Sequence, residues 1–221
     1  MRAPGYPIVL SLEGRSCLVV GGGRVALRKI TSLLEAGASV TVVAPEVIPQ
    51  IRALDVEIVE RPYRAADLVG RRLAVTATGD PIVDRAVFDD GEAAGILVNA
   101  ADDPIHCAFT LPAVHRRGVV SLAVATDGAS PALATWLRDR VAAALPGTLD
   151  ALVDLVTHAR DVVREAGVST EGLSWHELID ALEEALTVDP DAARVMVAEF
   201  IAAAIGNSDL SGGDRGGTVV P

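Results

Sequence analysis

The sequence predicts an α/β fold. An open parallel β-sheet with crossover helices occupies residues 1–112, a β-rich segment 113–146, an all-helical region 147–206 and a flexible tail 207–221. Three observations carry this. Cys17-Leu18-Val19-Val20 is an apolar run of strand length that ends in Gly21-Gly22-Gly23 and passes straight into a helical pattern. Further apolar runs then alternate with helical segments, the signature of strands joined by crossover helices. Beyond the Pro146-Gly147 break only helical spacing remains.

The elements follow in order. Residues 6–10 read as a lead-in strand, and 17–20 as the first buried one. From 25 to 36 a helix puts Ala26, Ile30, Leu33 and Leu34 on one face, and Gly37 closes it. Residues 39–43, 56–59, 73–77 and 96–98 read as the next four strands. Asp80-Pro81 starts a helix, with an acid at the cap and proline at the first helical position, running to about residue 94. Residues 107–111 and 119–126 read as two more strands, joined through Pro112 and the turn His115-Arg116-Arg117-Gly118. Ser130-Pro131 opens a helix to about residue 145. Three helices follow, at 149–166, from the capping box Ser174-Trp175-His176-Glu177, and from Asp189-Pro190 to about 205.

Composition narrows the function classes. The chain has 221 residues, 50% of them apolar, which is ample for a core, and no apolar run approaches the roughly 18 residues of a membrane span. Two cysteines, Cys17 and Cys107, make no disulfide framework, so a reducing cytoplasm is expected. The net charge of −11 is uneven. Residues 1–146 carry 16 acids against 15 bases, and residues 147–221 carry 14 against 4. Such a chain is a poor partner for nucleic acid, and an anionic ligand belongs with the near-neutral first part.

Gly21, Gly23 and Ala26 fit the Gly-x-Gly-x-x-Gly/Ala pattern of a dinucleotide-binding turn. The first glycine allows the turn, the second admits the pyrophosphate, and the small third residue lets helix pack on strand. Arg24 and Arg28 stand beside this helix start, suited to phosphate or carboxylate. The acid that ordinarily closes the second strand and grips a ribose is missing. Val43-Ala44-Pro45 stands there, with Glu46 either reaching round to the ribose or serving as a plain loop acid.

The second constellation is Asn99-Ala100-Ala101-Asp102-Asp103-Pro104-Ile105-His106-Cys107, after the fifth strand, where ligands of open α/β sheets collect. A carboxylate here, Asp102 first, suits a general base, and a capped turn is the plain alternative. His106 and Cys107 point to opposite faces if extended, which makes a chelating pair improbable. Arg116 and Arg117 form a basic turn able to meet an anionic substrate, with a solvated hairpin tip as the alternative.

Taken together, these stretches resemble the dehydrogenase/ferrochelatase module of siroheme synthase, over about residues 6–146. The resemblance rests on Tyr6-Pro7-Ile8, Val19-Val20-Gly21-Gly22-Gly23-Arg24-Val25-Ala26, Val42-Val43-Ala44-Pro45 and Ala77-Thr78-Gly79-Asp80. It continues through Val98-Asn99-Ala100-Ala101-Asp102-Asp103-Pro104, Phe109-Thr110-Leu111-Pro112-Ala113 and Gly128-Ala129-Ser130-Pro131. It implies a Rossmann-type domain, a dimerisation segment in which partner chains cross to make a homodimer, and a small helical domain. The implied activity is NAD-dependent oxidation of precorrin-2 to sirohydrochlorin, with ferrous iron as a possible second substrate and no resident metal. Asp102 matches the family's essential aspartate; Arg24, Val25, Pro45 and Glu46 match its NAD contacts. Arg116, Thr126 and Ser130 are the candidate contacts to the tetrapyrrole. The sequence departs from the family at Asp127-Gly128-Ala129, and Thr126 stands where some members have a modifiable serine. The trifunctional members' methyltransferase domain is absent here, so methylation is expected from another protein. A non-catalytic NAD-sensing module and another NAD(P)-linked reductase are the competing readings.

Overall fold

A computed structural model of the chain describes residues 5–101 and 106–211. It divides into two compact units. The first comprises Met1–Ala113 with Ala125–Ala134, the second Val114–Val124 with Thr135–Pro221.

The first unit is built on five parallel strands: β1 (Ser16–Val20), β2 (Ser39–Ala44), β3 (Glu57–Glu60), β4 (Leu73–Thr76) and β5 (Leu97–Ala100). Their order is β3-β2-β1-β4-β5. The order reverses between β1 and β4, which opens a crevice at their carboxyl ends. Alternate residues of β1 serve opposite faces, as the two-residue period demands. Cys17 and Val19 join Ala26, Ile30 and Leu33 of α1 (Arg24–Glu35), while Leu18 and Val20 join Val87 of α3 (Pro81–Ala94). Ile30 and Leu18 are fully buried, each worth about 1.5–3 kcal/mol in transfer from water. A four-residue helix α2 (Pro49–Arg52) follows β2.

In the second unit, β6 (Ala113–Arg117) and β7 (Val120–Val124) form a two-stranded sheet. Helix α4 (Pro131–Ala143), which belongs to this unit from Thr135 on, is followed by α5 (Leu149–Glu165), α6 (Trp175–Val188) and α7 (Pro190–Ser211). The last three bury Leu152, Ala159, Leu178, Leu182, Ala193 and Val197 against one another. Trp175 packs on Phe200 at 4.9 Å and donates its indole N–H to the Thr170 carbonyl at 2.9 Å. Among the described residues no helix is long and apolar enough to cross a membrane.

Several elements differ from expectation. Residues 6–10 form no strand: Tyr6 is 90% and Val9 98% exposed, so no neighbouring sheet edge rewards pairing. Residues 107–111 form no strand either. The backbone makes one antiparallel bridge, Asn99 to Cys107, and the Asn99 side chain then takes the Phe109 carbonyl at 2.8 Å in place of a ladder. The hairpin begins at Ala113, so His115, Arg116 and Arg117 are strand residues and the turn is at Gly118. Ser174 precedes α6 but its side chain makes no capping hydrogen bond. Helix α7 runs on through Ser211, beyond the expected end near 205, carried by the strong helix formers Ala202, Ala203 and Ala204.

Candidate functional site

The glycine turn leaves β1 and enters α1 at the crevice. Gly21 sits at φ +127°, and its N–H bonds the Val43 carbonyl at 2.9 Å. A side chain there would be strained, and its Cβ would overlap the Ala77 carbonyl. Gly22 is required by packing, because a Cβ would overlap the Glu46 carbonyl oxygen. That contact is held by the Ile48 N–H on the Gly22 carbonyl at 3.0 Å. Gly23 differs: a Cβ there meets nothing within 4 Å. It is exposed and precedes α1 without a side-chain cap, and no acid occupies the first turn. The first amides of α1 and the positive end of its dipole therefore face open space beside Gly23. Ala26, the small third residue, is fully buried where helix meets sheet. These residues fit a dinucleotide pyrophosphate. Arg24 and Arg28 are exposed one turn apart on α1, and Val25 is half-buried between them in sequence.

The β2 rim is formed by Pro45 and Glu46, both exposed, with the Glu46 backbone seated on Gly22. Arg52 lies nearby in sequence but is committed in a two-pronged pair to Glu60 at 2.8 and 2.7 Å. The opposite rim is the turn after β4. Ala77 N–H bonds the Val20 carbonyl at 2.8 Å, and the following Thr78 bonds Asp84 of α3.

At the end of β5, Asn99 is buried and ties the returning chain through Phe109 and, more weakly, the Cys107 sulfur at 3.5 Å. The Cys107 thiol donates to the Ala100 carbonyl at 3.1 Å. Asp102 and Asp103 lie outside the described residues. His106 packs edge-on to Phe88 at 5.4 Å, and its Nε2 meets the Arg85 guanidinium. A guanidinium only donates, so this contact occupies the Nε2 lone pair that a metal would need. Cys17, in the core, has its thiol pushed up by burial and is structural.

The candidate substrate residues are distributed. The Thr126 hydroxyl donates to the Ser130 carbonyl at 3.1 Å and accepts its N–H at 3.3 Å, while the Ser130 hydroxyl accepts the Leu133 N–H at 3.2 Å. Both hydroxyls thus shape the start of α4. Arg116 is exposed on β6. Its neighbour Arg117 is a clamp within the second unit, bonding the Pro146 and Gly147 carbonyls at 2.8 and 2.7 Å and Asp150 at 3.0 Å. The packing of Gly22, the anchoring by Asp84 and the tie from Asn99 to Phe109 were not read from the sequence. A third consecutive glycine was the signal for the first; an aspartate or asparagine inside an apolar pattern was the signal for the others.

An uncapped helix start at the switch point of a β3-β2-β1-β4-β5 sheet defines an NAD(P)-binding α/β protein, and an NAD(P)-binding family model matches residues 8–113. The chain is similar to siroheme synthase of Chromobacterium violaceum, 39% identical over 222 residues, covering 97% of this chain and 46% of that protein. Siroheme synthase of Methylococcus capsulatus is 41% identical over 168 residues, covering 72% and 35%. The solved structure of SirC, precorrin-2 dehydrogenase, matches with a TM-score of 0.67 at 30% identity, over 90% of this chain and 98% of that one. The chain belongs to the family that includes SirC and part of siroheme synthase. It spans less than half the length of the siroheme synthases it matches.

Proposed function

We propose that this protein oxidises precorrin-2 to sirohydrochlorin, removing a hydride and a proton, with NAD⁺ as its cofactor. The observation that carries the reading is the acid-free, uncapped start of α1 beside the open face of Gly23, in a chain of this family. When bound, NAD⁺ supplies the hydride acceptor. Gly23 and the first amides of α1 bind the pyrophosphate, with Arg24 and Val25 flanking it. The backbone of Pro45 and Glu46 holds the ribose in the absence of a strand-end acid. Glu46 is an exposed carboxylate on that rim and repels a 2′-phosphate, while Arg52, the cation after the second strand, is engaged by Glu60. NAD⁺ is accordingly favoured over NADP⁺.

Asp102 takes the proton that leaves the macrocycle, the role its match to the family's aspartate gives it. Arg116, Thr126 and Ser130 contact the tetrapyrrole, and ferrous iron is a second substrate held by the macrocycle's own nitrogens. Two copies pair through residues 113–146, where Val119, in the β6–β7 turn, is 82% and Trp136, on α4, 55% exposed in the single chain. Cys17 and Cys107 form no disulfide, which suits a reducing cytoplasm. The test is anaerobic incubation with precorrin-2 and either NAD⁺ or NADP⁺. The sirohydrochlorin spectrum should develop with NAD⁺ and more slowly with NADP⁺; no conversion with either overturns the proposal.

A further inference from the structure

We propose that Asp84 is a positioning residue for the nucleotide: its buried carboxylate fixes the turn after β4 as the wall opposite the glycine turn. The inference rests on the nucleotide-binding reading and extends it to a residue that lies on α3.

Asp84 is 8% exposed, and its Oδ1 gathers three donors. These are the Thr76 hydroxyl, the Thr78 hydroxyl at 2.7 Å and the Thr78 N–H at 3.3 Å. A hydroxyl has one proton. The Thr78 hydroxyl spends it on the carboxylate, and its lone pair accepts the Asp80 N–H at 3.0 Å. Residues 76–80 are thereby tied to one oxygen atom through both a side chain and the backbone. No cation pairs with Asp84 among the described residues. What offsets its charge is these donors and its place in the first turn of α3, where the helix dipole favours an anion.

Two contacts carry that anchoring to the site. The Ala77 carbonyl lies so close to Gly21 that no Cβ fits between them, so the position of this turn sets the shape of the glycine turn. The Thr76 carbonyl accepts the Ala101 N–H at 2.9 Å, immediately before Asp102 in sequence. A buried acid without a cationic partner costs stability relative to an apolar residue of similar size. Asp84 is buried, and the groups it organises line the crevice where the nucleotide enters. Its acceptor oxygen is therefore the feature that matters, and asparagine retains it.

The experiment measures NAD⁺ binding by calorimetry, with steady-state kinetics and melting temperature, on wild type, Asp84→Ala, Asp84→Asn and Thr78→Val. Losing the acceptor should raise the Kd and KM for NAD⁺ about 10-fold in Asp84→Ala, the worth of about one hydrogen bond. At saturating NAD⁺, kcat should stay within about 2-fold, and Asp84→Asn should return Kd to within about 3-fold of wild type, as expected for a positioned acceptor. Wild-type Kd in Asp84→Ala, or a fall in melting temperature and kcat with KM unchanged, overturns the proposal. If Asp84→Ala does not fold, Thr78→Val decides: a weakened Kd supports the assignment and an unchanged one overturns it. Wild type that binds no NAD⁺ refutes the nucleotide reading itself, a different failure from variants that bind as wild type does.

Discussion

Two neighbouring glycines should fail in different ways when replaced by alanine. Gly23 has φ −95° and ψ −167°, which any residue adopts, and a Cβ there meets nothing. Gly23→Ala loses a tolerable cap residue but narrows the unfolded ensemble, effects of about 0.5–1 kcal/mol each that oppose one another. Its melting temperature should stay within about 4 °C of wild type. The new methyl group occupies the space through which a pyrophosphate reaches the amides of α1. Losing about two charge-assisted hydrogen bonds there, at about 1.5 kcal/mol each, weakens NAD⁺ binding by roughly 100-fold. Gly22→Ala reverses the pattern. Its Cβ overlaps the Glu46 carbonyl oxygen, and the rim held by Ile48 must move, a strain of about 1–3 kcal/mol that lowers the melting temperature first. Calorimetric titration and thermal unfolding of both variants separate the two effects. Gly23→Ala binding NAD⁺ with wild-type affinity would refute the assignment of that open face to the cofactor.

Other consequences are smaller but independent. Arg61 pairs with Asp67 at 2.5 Å, and this bond, aided by the Arg64 N–H, holds the Asp67 carboxyl below its ordinary pKa. The resulting stability is complete above the unfolded value, about 3.9, and is lost as pH falls through the lower folded value. The stability gap between wild type and Asp67→Asn in urea unfolding should therefore be full at about pH 6 and shrink below about pH 4; a constant gap contradicts it. Asn99→Ala leaves the Phe109 carbonyl without its donor, costing about 1–3 kcal/mol and roughly 4–10 °C in melting temperature by differential scanning fluorimetry. His106→Ala should leave the rate of ferrous iron insertion unchanged where insertion occurs, since Arg85 and Phe88 already engage the ring; a lost insertion rate refutes this.

How much the sequence disclosed depended on the kind of interaction. The parallel sheet was legible because β1, β2 and β4 are short apolar runs bounded by Gly, Pro and Asp, and because Asp80-Pro81 marks the start of α3. The glycine turn itself was legible from spacing, but the packing need for Gly22 was not, since only the fold brings the Glu46 carbonyl against it. Asp84 was hidden for the same reason: its partners are eight and six residues away, on the far side of a turn. Residues 107–111 misled through their apolar composition, because the signal for pairing there is the single side chain of Asn99. His115 and Arg116 misled by polarity, being strand residues on a sheet that is half-exposed.

The central claim, that a glycine-turn nucleotide site and the carboxylate after β5 form one dehydrogenase, is tested most directly by Asp102→Asn. NAD⁺ binding is measured by calorimetry and precorrin-2 oxidation is followed anaerobically at saturating NAD⁺. The account predicts wild-type NAD⁺ affinity with turnover reduced at least about 100-fold, the low end for a lost general base. Turnover equal to wild type would contradict it.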